Sequence, residues 1–184
     1  MLKKYLITSR EFYTDTPAVF RKILHEQLVK HLPEYALYRD KSNPNYATQA
    51  EHFIEVCAHF SDVNAIIHSD IYLAHSLGAY GVHLPSSEFH LIEKAKDLGL
   101  KVFVSTHTTE ELLRVEKLGA DYATYSPIFA TPNKGEPKGI ADLEAALILT
   151  NMKVFALGGI VTDEQVDMVE KTSAFGFASI RYFY

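Results

Sequence analysis

Short apolar runs alternate along the chain with longer stretches whose apolar positions recur at helical spacing. Lys4–Thr8 reads as a strand. Pro17–Leu32 reads as a helix, because Val19, Phe20, Ile23, Leu24 and Leu28 share one face. Tyr35–Tyr38 is a second short strand, and Tyr46–Phe60 a helix with Ala50, Phe53, Ile54, Cys57 and Ala58 on one side. The pairing continues through strand Asn64–Ile67 and helix Ile71–Leu77, then strand Gly81–Leu84 and helix Phe89–Leu98. Strand Lys101–Ser105 precedes helix Thr109–Leu118. Strand Asp121–Tyr125 is followed by the longest polar loop, Thr131–Gly139, and by helix Ile140–Leu149. Strand Lys153–Leu157, helix Thr162–Lys171 and strand Gly176–Ile180 complete the series.

Strict alternation implies parallel pairing, since each crossover between parallel strands needs its own connection. Gly78, Gly99 and Gly119 stop three successive helices at intervals of 21 and 20 residues, one short βα unit each. The expected fold class is α/β: a parallel, eight-stranded (β/α)8 barrel of the TIM type, a single domain over residues 1–184, lacking the final helix. A flavodoxin-like open sheet would normally have fewer strands. The 184 residues are few for such a barrel, which typically takes about 200–250. Tyr182, Phe183 and Tyr184 are a poor solvent-facing tail, so either a homodimer or a tightly folded-back tail is expected to cover them.

Hydrophobic residues make up 47% and charged residues 22%, an ordinary globular balance. The net charge of −5 argues against a general nucleic-acid binder. No apolar run approaches the roughly 18–20 residues that span a membrane. Met1–Ile7 is too brief for a signal peptide, and Cys57 is the single cysteine. These features together predict a cytoplasmic protein.

Ligands of parallel barrels meet the loops after the strands. Those positions hold Arg39 and Lys41 after strand 2, and His68, Ser69 and Asp70 after strand 3. Ser86, Ser87 and Glu88 follow strand 4, and Ser105 and His107 follow strand 5. Thr131, Asn133 and Lys134 follow strand 6, Gly158-Gly159 strand 7, and Arg181 strand 8. Four cations converging on one mouth repel each other unless an anion balances them, which predicts a phosphorylated ligand. Each piece has a plainer alternative. Arg39-Asp40-Lys41 is also what a solvated strand end looks like. Gly158-Gly159 is either a tight turn or a phosphate cradle of backbone N–H groups. His83 reads as an interior histidine. His107 is either a base or a neighbour of the helix cap that Thr108-Thr109-Glu110-Glu111 can form. The loop 133–139 is either a lid or a mobile connection. The nine histidines show no metal-ligand spacing.

Several stretches together resemble the thiamine phosphate synthase/TenI family. They are Tyr38-Arg39-Asp40-Lys41, Gly81-Val82-His83-Leu84, Val104-Ser105-Thr106-His107-Thr108 and Gly119-Ala120-Asp121-Tyr122. Ser126-Pro127-Ile128-Phe129-Ala130-Thr131 with Lys134, and Ala156-Leu157-Gly158-Gly159-Ile160, extend the likeness over nearly the whole chain. The resemblance implies a (β/α)8 barrel. It implies a transferase of thiamine biosynthesis that joins hydroxymethylpyrimidine diphosphate to thiazole phosphate, releasing diphosphate with Mg2+. Arg39, Lys41 and Lys134 would then hold the diphosphate, and Ser105 would sit near the pyrimidine. Thr131 would lie near the reacting groups, and Asn133, in place of a Thr, would be among the substrate-binding residues. Gly158, Gly159, Ile180 and Arg181 would bind the thiazole phosphate.

The chain also departs from the family pattern. Leu37 stands in place of Gln, and His68-Ser69 in place of Asn-Asp, whose Asp is a metal ligand. Arg181 replaces a Ser. Glu88 falls where a second metal-binding Asp is expected, and Asp70 is displaced by one position. Glu88 and Asp70 are thus the candidate metal ligands, and reduced synthase activity is expected. Two alternatives are a TenI-like thiazole tautomerase, although Pro127 stands where its acid/base His would be, and a non-catalytic binder or regulator of phosphorylated thiamine precursors.

Overall fold

The computed structural model describes residues 2–132 and 134–184. Eight strands close into a barrel in sequence order, every neighbouring pair parallel. They are β1 (Lys3–Ile7), β2 (Tyr35–Tyr38), β3 (Asn64–His68), β4 (Gly81–Leu84), β5 (Lys101–Thr106), β6 (Tyr122–Tyr125), β7 (Lys153–Leu157) and β8 (Gly176–Ser179). The helices are α1 (Arg10–Tyr13), α2 (Pro17–His31), α3 (Tyr46–Cys57), α4 (Ile71–Ser76), α5 (Ile92–Asp97), α6 (Thr109–Lys117), α7 (Gly139–Ile148) and α8 (Asp163–Glu170). No helix among the described residues is long and apolar enough to cross a membrane.

Several elements differ from the expectation, among them the helix expected over Tyr46–Phe60, which ends at Cys57. The one-turn helix α1 was not foreseen. The single helix expected over Phe89–Leu98 is a 3-10 segment, Ser86–Leu91, leading into α5. Glu88, at φ −118°, breaks the regular helix there, and 3-10 turns commonly start helices in this way. Strand 8 ends at Ser179 rather than Ile180, and only a 3-10 turn, Arg181–Phe183, follows it.

Side chains along a strand alternate between its faces, and here they sort into two buried clusters. Leu6, Tyr38, Ile67, Val82, Val104, Ala123 and Ala156 face the helices. Tyr5, Tyr35, Ile66, Phe103, Tyr122 and Phe155 fill the barrel. The interior is mostly aromatic, with Phe103 and Tyr122 stacked at 4.3 Å between ring centroids. At the next inward positions Ile7, Leu37 and Ala178 continue this apolar cluster, while His83 and Ser105 supply polar groups.

The tail folds back over the chain. Phe183 is buried and stacks on Phe177 at 5.5 Å, while Tyr182 meets Phe177 edge-on and donates to Asp163 Oδ1 at 2.8 Å. The remaining ring, Tyr184, packs on Phe12 of α1 at 4.7 Å. Phe183 is thus buried and Tyr182 half-buried within the chain, while Tyr184 stays 52% exposed.

Candidate functional site

The alternation that fills the barrel continues past the strand ends. Arg39 keeps the inward parity of Tyr35 and Leu37, and Ser105 that of Phe103. Ile180 keeps the parity of Ala178. These positions open onto a cavity of about 420 Å³ at the C-terminal mouth, which Lys41, His68, His107, Thr131, Lys134 and Gly158 also line. A second pocket of about 540 Å³ adjoins it and shares Arg39, Thr131, Gly158 and Ile180. Its own walls include Gly159, Arg181 and the α1 segment Ser9, Glu11 and Phe12. Every expected site residue in the described part lines one of these pockets or the acidic cleft described below. Asn133 lies outside the described residues.

Arg39, Lys41 and Lys134 form the cationic side of the cavity. Burial, then repulsion from Arg39 and Lys134, pulls the Lys41 ammonium below its ordinary range, while Glu88 opposes the shift. Three cations outnumber the two nearby carboxylates, Glu88 beside Lys41 and Asp40 beside Arg39, and so make a site for an anion. Burial, reinforced by Arg39 and Lys41, lowers the His68 imidazole to about 4, so it is neutral near pH 7. Its Nδ1 lies 3.0 Å from Ser69 Oγ, and its ring stacks 6.2 Å from that of His83.

His83 links the aromatic plug to the cavity. Its Nδ1 is 2.9 Å from the Tyr5 hydroxyl, and its Nε2 is 2.9 Å from Ser105 Oγ. Burial holds its pKa well below the ordinary value. A neutral imidazole with both nitrogens bonded is fixed in rotation, and it fixes Ser105 at the cavity floor.

Gly158 and Gly159 both lie at positive φ, +102° and +70°. A Cβ on Gly158 would come within 2.7 Å of Pro127 Cα, and one on Gly159 within 2.5 Å of the Ala130 carbonyl oxygen. The loop after β6 rests directly on this turn. Ile128 N donates to Leu157 O and Phe129 N to Gly158 O, both at 2.9 Å. The glycine pair therefore serves as a tight turn as well as a wall of both pockets, and it positions the segment leading to Thr131 and Lys134.

A third cleft, of about 430 Å³, holds Asp70 and Glu88 with Lys41, His68 and Ser69. Ser69 has φ +62°, and the turn makes Asp70 the N-cap of α4, where its Oδ1 accepts from Tyr72 N at 3.1 Å and Leu73 N at 2.9 Å. Glu88 Oε2 is buried with no hydrogen-bond partner. Among the described residues no three His, Cys, Asp or Glu side chains cluster tightly enough to hold a metal alone. The donor set fits a hard cation that keeps water and takes further ligands from substrate phosphates, the usual habit of Mg2+. Glu88 offers the orphaned oxygen such a cation would use.

A family model described as thiamine monophosphate synthase matches residues 4–183. The chain belongs to that family, TMP-TENI. It is 37% identical over 114 residues to the putative thiamine-phosphate synthase 2 of Aquifex aeolicus, covering 60% of this chain and 61% of that one. Against the thiamine-phosphate synthase of Nitrosococcus oceani it is 31% identical over 140 residues, 72% of this chain and 64% of the other. The chain thus spans less than two thirds of the length of these two relatives. Against the enzyme of the same name from Halalkalibacterium halodurans it is 29% identical over 161 residues, 85% of this chain and 75% of that one. Among solved structures, the thiamine phosphate pyrophosphorylase from Pyrococcus furiosus superposes with a TM-score of 0.83 at 26% identity, over 97% of this chain and 85% of the other.

Reading the sequence by strand ends missed two contributions. His83 and Tyr5, 78 residues apart, meet only when the barrel closes. The α1 wall of the second pocket is too short to announce itself by periodicity. Strand parity alone, counted from the apolar residues Ile7 and Leu157, could have added those two positions to the cavity lining.

Proposed function

We propose that the chain is a transferase of the thiamine-phosphate synthase type, a single domain over residues 1–184 acting in the cytoplasm. It would join hydroxymethylpyrimidine diphosphate to thiazole phosphate. The carbon–oxygen bond to diphosphate breaks, the diphosphate leaves with the electron pair, and the thiazole nitrogen forms the new carbon–nitrogen bond. The observation that carries this reading is the pair of adjoining pockets. One is ringed by Arg39, Lys41 and Lys134, and the other is built on Gly158-Gly159 with Arg181, with Arg39 common to both.

In this reading the three cations stabilise charge that grows on the departing diphosphate, and they do so most in the transition state. Ser105, held by His83, orients the pyrimidine over the aromatic plug. Gly158, Gly159, Ile180 and Arg181 hold the phosphate of the second substrate, while Thr131 sits at the junction of the pockets. Holding both partners in adjoining pockets supplies the proximity that the bond-forming step needs. Glu88, together with the substrate phosphates, would hold Mg2+, which when bound adds positive charge at the diphosphate; Asp70 across the cleft is committed to the α4 cap.

The test is incubation of the protein with both phosphorylated substrates and Mg2+, followed by direct detection of thiamine phosphate. Expected turnover is below about 1 s−1, since the cleft keeps a single uncommitted carboxylate. Ser69→Asp, alone or with Leu37→Gln, should raise it. Turnover at or above that rate would refute the expected loss of metal ligation. The second reading, a non-catalytic binder of phosphorylated precursors, draws support from the use of Asp70 as a helix cap. It prevails if the double variant binds diphosphate yet forms no product.

A further inference from the structure

A carboxylate stands between two of the cavity cations and forms an ion pair with neither. Asp40 lies between Arg39 and Lys41 in sequence and is only 8% exposed. Its parity is opposite to that of Arg39, so its side chain leaves the cavity. Oδ2 accepts from Arg10 Nε at 3.0 Å, and Oδ1 accepts from Ser42 N at 3.2 Å and Ser42 Oγ at 3.4 Å. Among the described residues Arg10 is its one ion-pair partner. Arg10 belongs to α1, whose neighbouring residues Ser9, Glu11 and Phe12 wall the second pocket and whose Phe12 is packed under Tyr184.

We propose that the Arg10–Asp40 pair is a positioning device. It anchors the segment Arg39–Lys41 with its cations on the diphosphate cavity, keeps the intervening carboxylate off them, and ties that segment to the wall of the second pocket. The inference rests on the anion-site reading above. Without Arg10, Asp40 would be a buried, partly satisfied carboxylate beside two cations, and pairing with either would take that charge from the ligand. Without Asp40, the segment keeps its cations but loses three of the bonds that fix its course.

Pyrophosphate titration by calorimetry at fixed ionic strength tests this, because position and charge predict opposite signs. Removing a negative charge near an anion site strengthens anion binding by Coulomb's law alone. Positioning predicts that Asp40→Asn instead weakens pyrophosphate affinity, by about tenfold. Arg10→Gln should weaken it similarly, and the double variant should lose no more than either single change, the mark of residues acting through each other. Circular dichroism and melting curves check folding. If Asp40→Asn does not fold, Arg10→Gln carries the test, since that side chain is partly exposed. Unchanged or tighter binding by the folded variants overturns the proposal and leaves the anion site standing. Failure of the unaltered protein to bind pyrophosphate overturns the anion site itself, and the positioning role with it.

Discussion

Replacing Gly159 by alanine tests whether the turn after β7 and the loop after β6 form one unit. The new Cβ would meet the Ala130 carbonyl oxygen at 2.5 Å and the Phe129 carbonyl carbon at 2.7 Å, and φ is +70°. Both contacts are backbone, so no side chain can swing aside. The loop cannot simply recede, because Ile128 N and Phe129 N are bonded to Leu157 O and Gly158 O at 2.9 Å. The left-handed conformation costs an L-residue about 1–2 kcal/mol, and overpacking typically adds about 1–3 kcal/mol. The expected loss is therefore about 2–5 kcal/mol, a melting point lower by at least about 4 °C for a domain of this size. Urea unfolding measures the first and calorimetry the second. The displaced loop leads to Thr131 and Lys134, so titration with inorganic phosphate and pyrophosphate should show both affinities falling. A loss under about 1 kcal/mol with unchanged anion binding would refute the reasoning.

Three further outcomes are expected. Arg181→Ser should weaken phosphate-ester binding by about tenfold, read by calorimetry, because it removes a charge from the wall of the second pocket. His83 has a folded pKa well below 6.5, chiefly through burial. The unfolded chain therefore binds the extra proton, and stability present above about pH 6.5 is lost as pH falls, by up to about 1.4 kcal/mol per pH unit. Urea unfolding between pH 7 and 5 should show this slope together with that of His68, lowered to about 4 chiefly by burial, so His83→Gln should reduce the slope without removing it. Asp70→Ala should lower stability by about 1 kcal/mol, the ordinary worth of an N-cap, and leave Mn2+ binding in the presence of pyrophosphate nearly intact. Glu88→Gln should weaken that binding and spare stability, and the reverse pattern would reverse the two roles.

The barrel was legible because each strand is a short apolar run flanked by polar turns, and each crossover helix shows its own buried stripe. The mouth was legible for the same reason: a residue one step beyond an inward strand position, such as Arg39 after Leu37, must face the cavity if the alternation holds. What escaped was decided by geometry that no local pattern encodes. Four residues cannot display a 3.6-residue period, so α1 reads as loop, and with it went the partner of Asp40. The contact of His83 with Tyr5 depends on how four strands stagger around the barrel.

Asp70 is the most instructive case, because its neighbourhood in sequence points to a metal while its neighbourhood in space points to a helix. The positive φ of Ser69 turns the chain so that Asp70 precedes α4, and two amide N–H groups with no partner inside the helix claim its Oδ1. An amide left unpaired there would carry a cost of its own, so the cap competes directly with any cation for that oxygen. Glu88 faces no such competition, since its Oε2 is buried with no hydrogen-bond partner. The two acids named as candidate ligands, one in register and one displaced by a position, are thus separated by what already claims their oxygens. The residue out of register holds a helix, and the residue in register is left with an oxygen that only a ligand, a water or a cation can satisfy.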